Sequence, residues 1–157
     1  MGTNLLACGQ QGVPEAVIDA HDELRAALAK ASAEPGPVGV AAKRLAELCV
    51  PLFDREEEGV FRAFGLLDDL LTGRAQPDSA VALPVLAELR SLSDIAHDRR
   101  RLIDDAIEDL LRQAGKANNG LPAKVAQALW HSEKVEDEVM YPAMLLIDQS
   151  LRESLRV

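Results

Sequence analysis

The stretch WHSEKVEDEVMYP, residues 130–142, places His131 five residues ahead of Glu136 on an otherwise helical pattern. Imidazole and carboxylate on one helix form a donor set that divalent iron, manganese and zinc accept. The chain holds 3 histidines. The other two, His21 and His97, lie well inside two further helical segments, and the remaining segment carries Glu56-Glu57-Glu58. A histidine in each of three helices and a glutamate run in the fourth point to a metal site inside a four-helix bundle.

Composition sets the frame for that site. A chain of 157 residues suits one domain with a core large enough to fold alone. Apolar content of 48% with 27% charged residues belongs to a soluble globular protein. Aromatics amount to only 3%, and the preponderance of Ala and Leu favours helices over sheets. The net charge of −9 and pI near 4.8 argue against nucleic acid and anionic membrane as partners. No apolar run approaches the roughly 20 residues that span a bilayer. Leu5-Leu6-Ala7-Cys8 looks like a lipoprotein cleavage box but lacks a basic leader and an apolar run before it, so a cytoplasmic protein is expected. Cys8 and Cys49 make neither a disulfide framework nor a thiolate metal motif.

Four helices must position the candidate donors. Residues 1–13 are aperiodic and read as a loose arm. Pro14 opens helix one, where its missing N–H is not needed, and Val17, His21, Leu24 and Leu28 form one buried stripe with the imidazole in it. Glu34-Pro35-Gly36-Pro37 ends it. Helix two is expected from Val38 to Leu71, bent at Pro51 about one turn before the glutamate run. Thr72 to Ser79 is a loop. Helix three runs from Ala80 to Ala114 on the stripe Leu86, Leu89, Leu92, Ala96, Ile103, Ile107 and Leu110, with His97 at its edge. After the turn Lys116–Gly120, helix four starts at Pro122 and continues past Pro142 toward Leu155. Short connections favour an up-down-up-down, all-α bundle. At 1.5 Å rise per residue, Glu57 and His97 both fall about 22–26 Å from the loop between helices two and three, and the remaining donors agree to within about two turns.

Each donor also has a plainer reading. A single histidine on an apolar face is more often a hydrogen-bonded core residue than a ligand. A glutamate run is usually a solvated face. Three consecutive glutamates, however, span about 200° of a helix, so at least one turns inward and must there be paired or metal-bound. Arg99-Arg100-Arg101 offers such pairing, which makes a buried ion-pair network the metal-free alternative.

Over roughly residues 14–145 the chain resembles the hemerythrin-like (HHE cation-binding) domains. VIDAHDELRAAL is similar to the first ligand helix of that family, with His21 at its histidine position. IAHDRRRLIDDAIEDLL resembles the third, with His97 as the match, and His131 with Glu136 repeats the fourth helix's histidine, four intervening residues and carboxylate. The resemblance implies a site of two iron ions, oxo- or carboxylate-bridged. The family usually has five histidines, and this chain can supply three. The second helix fits the His-x-x-x-Glu motif in two registers: Leu52 in the histidine's place with Glu56 as ligand, or Phe53 with Glu57. Phe53 is read as an aromatic wall of the site at a vacant ligand position, one that a tyrosine would fill.

A site poor in imidazole and rich in carboxylate favours the ferric state and leaves positions open to water or substrate. Redox reactivity toward a small molecule (NO, H2O2 or O2) is therefore preferred to reversible oxygen carriage. Three classes stay open: a reactive di-iron protein, a binding or sensing module for oxygen, iron or NO without turnover, and a metal-free helical interaction protein.

Overall fold

Pro14 precedes α1, Glu15–Ser32, in the computed structural model of the chain, and the positive-φ Gly36 precedes α2, Pro37–Glu58. The structure describes residues 12–67, 71–72 and 79–154, with the side chains of 66, 79–86 and 88–98 outside that description. A 3₁₀ segment, Val60–Leu66, follows α2, and α3 spans Ser79–Lys116. Asn119 caps α4, Gly120–Val135, by accepting from the Leu121 amide at 3.3 Å. A π segment, Glu136–Met140, carries that helix on into α5, Tyr141–Ser154. Among the described residues all regular structure is helical.

The result is an all-α fold of four helices, the fourth being α4 and α5 joined through the π turn. α1 packs on α2, α2 on α3, α3 on α4, and α4 closes back onto α1. No described helix is long and apolar enough to cross a membrane.

Two departures from the sequence expectation bear on the site. Helix two does not run on to Leu71: it stops at Glu58, because Gly59 is a poor helix former and the chain tightens there into 3₁₀ turns. The 3₁₀ segment thereby brings Phe61 back toward α1 and α5. Helix four passes Pro142 without ending. Proline has no N–H and its ring crowds the carbonyl four residues back. The ladder accommodates this by widening to a π turn, in which the Tyr141 amide bonds the Glu136 carbonyl.

The apolar interior falls into two clusters. One gathers Leu24, Leu28, Leu45, Phe53, Ile107 and Leu129 from α1 to α4. The other joins Val13, Phe61, Met144, Ile147 and Leu151, with Tyr141 packed against it. Of the stripe expected on helix three, Ile103, Ile107 and Leu110 are buried, while Leu86, Leu89, Leu92 and Ala96 lie outside the described side chains. At the start of the chain, residues 1–11 lie outside the described residues. Gly12 and Val13 are the last two residues of the expected arm. Gly12, at φ 95°, lies so close to Gly65 and the Arg62 carbonyl that a Cβ would meet that oxygen at 2.6 Å. Val13 is buried in the second cluster.

Candidate metal centre

His21 sits in the α1 stripe between Val17 and Leu24, and its side chain is 1% exposed. Its ring lies against Phe53, with centroids 4.3 Å apart and planes 15° from parallel. On one edge Nδ1 donates to Glu57 Oε1 at 2.8 Å. Glu57 also accepts from Arg25 Nη1 at 2.9 Å, and the same guanidinium reaches Asp54 at 2.8 Å and Asp22 at 3.0 Å. A carboxylate bound to arginine is an acceptor, so Nδ1 carries a proton and Nε2 is the edge turned toward the interior.

That edge faces two carboxylates. Glu136 Oε1 lies 3.4 Å from Nε2, and Glu56 Oε2 lies 3.8 Å from it. Glu136 stands at the first position of the π segment, where Ser132, one turn earlier, donates to its Oε1 at 3.3 Å. Glu56 is fully buried on the last turn of α2. Its Oε1 accepts from the Tyr141 hydroxyl at 2.7 Å, whereas its Oε2 has no hydrogen-bond partner. Burial first, then Glu136, raise the Glu56 carboxyl well above its ordinary value. The Tyr141 phenol is likewise raised, by burial and by Glu56.

One donor atom each from His21, Glu56 and Glu136 therefore lie within 4.8 Å of one another, all three residues buried. Two buried carboxylates meeting one imidazole edge call for a positive charge among them, either a proton or a cation. One imidazole nitrogen and two carboxylate oxygens, with the imidazole's other edge held by a carboxylate, is a donor set suited to a first-row transition ion. The unpartnered Glu56 Oε2 is the atom that such an ion would satisfy. A cavity of ≈ 10 Å³ borders the cluster, lined in part by Leu52, Glu56, Glu133, Glu136 and Tyr141. That is space on the scale of one water.

The sequence candidates divide accordingly. His21, Glu56 and Glu136 converge. Glu57 is buried beside them, but it is engaged with His21 Nδ1 and Arg25 and so orients the imidazole from behind. Phe53 walls the site flat against His21, and the small cavity beside Glu56 borders Leu52 rather than Phe53. The His97 side chain lies outside the described residues. His131 is exposed and does not join the cluster. Five residues of regular α-helix separate it from Glu136 by about 140°. The π turn that would bring an i, i+5 pair onto one face begins at Glu136, not before it. Arg100 pairs with Asp137 instead of with the glutamate run.

Two residues went unnoticed in the sequence. Glu133 is buried, with Oε1 unpartnered, and its carboxyl is pushed up to about 8, chiefly by burial. Its signal was the stripe Ala126, Leu129, Glu133, Glu136, spaced 3, 4 and 3, which excludes His131. Tyr141, the chain's 1 tyrosine, has no spacing to the donors that would mark it in the sequence.

Comparison of the chain with protein-family models, with curated proteins and with solved structures finds no match. The class that the fold and the site define is thus a four-helix, all-α protein with a buried His/Glu/Glu group able to hold a metal ion.

Proposed function

We propose that this chain is a hemerythrin-like, non-haem iron protein that binds and reacts with small molecules such as NO, H2O2 or O2 inside the bundle. The observation that carries the reading is the unpartnered Glu56 Oε2 facing His21 Nε2 and Glu136 Oε1. Two carboxylates to one imidazole favour iron or manganese over softer ions. Bound iron would supply one-electron chemistry and an open coordination position.

The chain's own residues do the rest. His21 presents Nε2 because Glu57 and Arg25 fix its other edge. Tyr141 holds Glu56 Oε1, so the carboxylate's second oxygen turns toward the imidazole. Phe53, Phe61 and Leu52 exclude bulk water, and the ≈ 10 Å³ cavity selects molecules of two or three atoms. The described residues supply donors for one ion, and a bridged pair would draw on further donors, His97 among them. Iron analysis with an absorption spectrum tests the reading. At least one iron per chain with near-ultraviolet oxygen-to-iron bands is expected, and stopped-flow mixing with NO and peroxide then separates turnover from sensing.

A metal-free reading is favoured by one observation, the raised Glu56 carboxyl. A proton retained on Glu56 would bridge the cluster, leaving a buried hydrogen-bonded network in a helical interaction protein. Iron-free protein after iron-rich expression would select it.

A further inference from the structure

Beside the cluster, α3 and the fourth helix enclose a groove of ≈ 600 Å³. Two facing stripes line it. Arg100, Asp104 and Glu108 follow one another at i, i+4 along α3, and Trp130, Glu133 and Asp137 do so at spacings of three and four along the fourth helix. Glu133, Arg100 and Asp137 also border the small cavity beside Glu56 and Glu136. These three side chains are thus the shared wall between groove and metal cluster.

Arg100 is tied to Asp137 and Lys134 to Glu138 by ion pairs, so the acidic balance of the groove comes from Asp104 and Glu108 at its exposed rim, with the Glu133 carboxyl at its floor. Glu133 has the distinctive position. It is 8% exposed, and its Oε1 finds no partner in an interior where an unmet carboxylate oxygen is costly. A carboxylate in the dividing wall, reached from an acidic groove and open toward two more carboxylates, is what a cation passing inward needs. It exchanges one set of oxygen donors for the next without a dry interval.

We infer that the α3–α4 groove is the route by which a divalent cation reaches the bundle interior, and that Glu133 is the hand-over ligand between the rim carboxylates and Glu136 with Glu56. This inference rests on the metal reading proposed above. Asp104 and Glu108 concentrate the cation at the rim. Any proton held by Glu133 leaves as the cation arrives.

The chain's 1 tryptophan, Trp130, lines the groove and reports passage directly. Metal-free protein is mixed with Co2+ in a stopped-flow instrument. Trp130 quenching and final bound Co2+ are measured for the wild type, Glu133→Gln, the rim double variant Asp104→Asn with Glu108→Gln, and Glu153→Gln as an off-groove control. Loading at least ten-fold slower in Glu133→Gln with unchanged final stoichiometry is expected. The rim variant should load several-fold more slowly and lose most of the wild type's salt dependence, with the control unaffected. Because the rim residues are exposed, that arm holds even if Glu133→Gln folds poorly. Wild-type loading rates in both groove variants, at normal stoichiometry, would overturn the route and leave the metal site standing. A wild type that takes up no Co2+ would remove the metal reading and the route together.

Discussion

The Tyr141 hydroxyl donates to Glu56 Oε1 at 2.7 Å, while the other oxygen of that carboxylate turns toward His21 and Glu136. The phenol reaches this position because Pro142 forces a π turn just before it, so a backbone irregularity near the end of the bundle orients a carboxylate on α2. Tyr141→Phe keeps the ring packing against Phe61 and removes only the hydrogen bond. Metal affinity, measured by titration with Mn2+ against a competing chelator, should fall about 10–100-fold, the usual effect of losing an orienting partner. Unchanged affinity would mean that Glu56 is positioned by packing alone.

Phe53 stabilises the site and the bundle together. It is fully buried and stacked on His21, with the Arg25 guanidinium 5.6 Å from its ring centre. Phe53→Ala should cost about 3–5 kcal/mol in urea unfolding of the metal-free protein. Phe53→Leu, which refills most of the volume, should cost clearly less. Equal losses in the two variants would indicate that stacking, rather than filled space, dominates.

Much of the fold was legible because helix-period stripes and Pro or Gly punctuation are local signals. Pro14, the Glu34–Pro37 turn and Asn118-Asn119-Gly120 fall at real boundaries. The break at Gly59 was not anticipated, since a single glycine in an apolar-periodic stretch looks tolerable until tertiary packing draws Phe61 inward. His21, Glu56 and Glu136 were recognisable as donors by residue type and helix placement. That Glu56 rather than Glu57 converges with His21 and Glu136 depends on Arg25 engaging Glu57, a contact between residues 32 apart in sequence. His131 lies apart from the cluster because its i, i+5 relation to Glu136 depends on where the helix widens, which the sequence does not state locally.

Stability of the metal-free protein should decline with rising pH. Burial, with Glu136 next, pushes the Glu133 carboxyl from 4.5 up to about 8, so between those values the folded chain keeps a proton that the unfolded chain has released. Stability is then fully present at the acid end of that window and is lost as pH rises through the folded value. Glu56, raised mainly by burial and Glu136, contributes in the same direction. Thermal melts across the window should show Tm falling for the wild type and falling less steeply for Glu133→Gln. Identical slopes would place the pH dependence on other groups.

Metal binding should reverse this trend. A cation among His21, Glu56 and Glu136 replaces the retained proton, so affinity rises with pH while bound metal raises Tm by mass action. Holo protein melting at the same temperature as chelator-treated protein would favour the proton-bridged network.

The most direct measurement is an anaerobic Fe2+ titration of metal-free wild type beside Glu56→Gln, read by equilibrium dialysis. The wild type should saturate at one or two tightly bound irons per chain. Glu56→Gln should lose at least one of them while keeping its helical content, because the amide keeps the shape of the side chain but offers no anionic oxygen. Tight, saturable binding that is the same in both proteins would contradict a centre built on Glu56, and the absence of saturable binding in the wild type would contradict the metal centre itself.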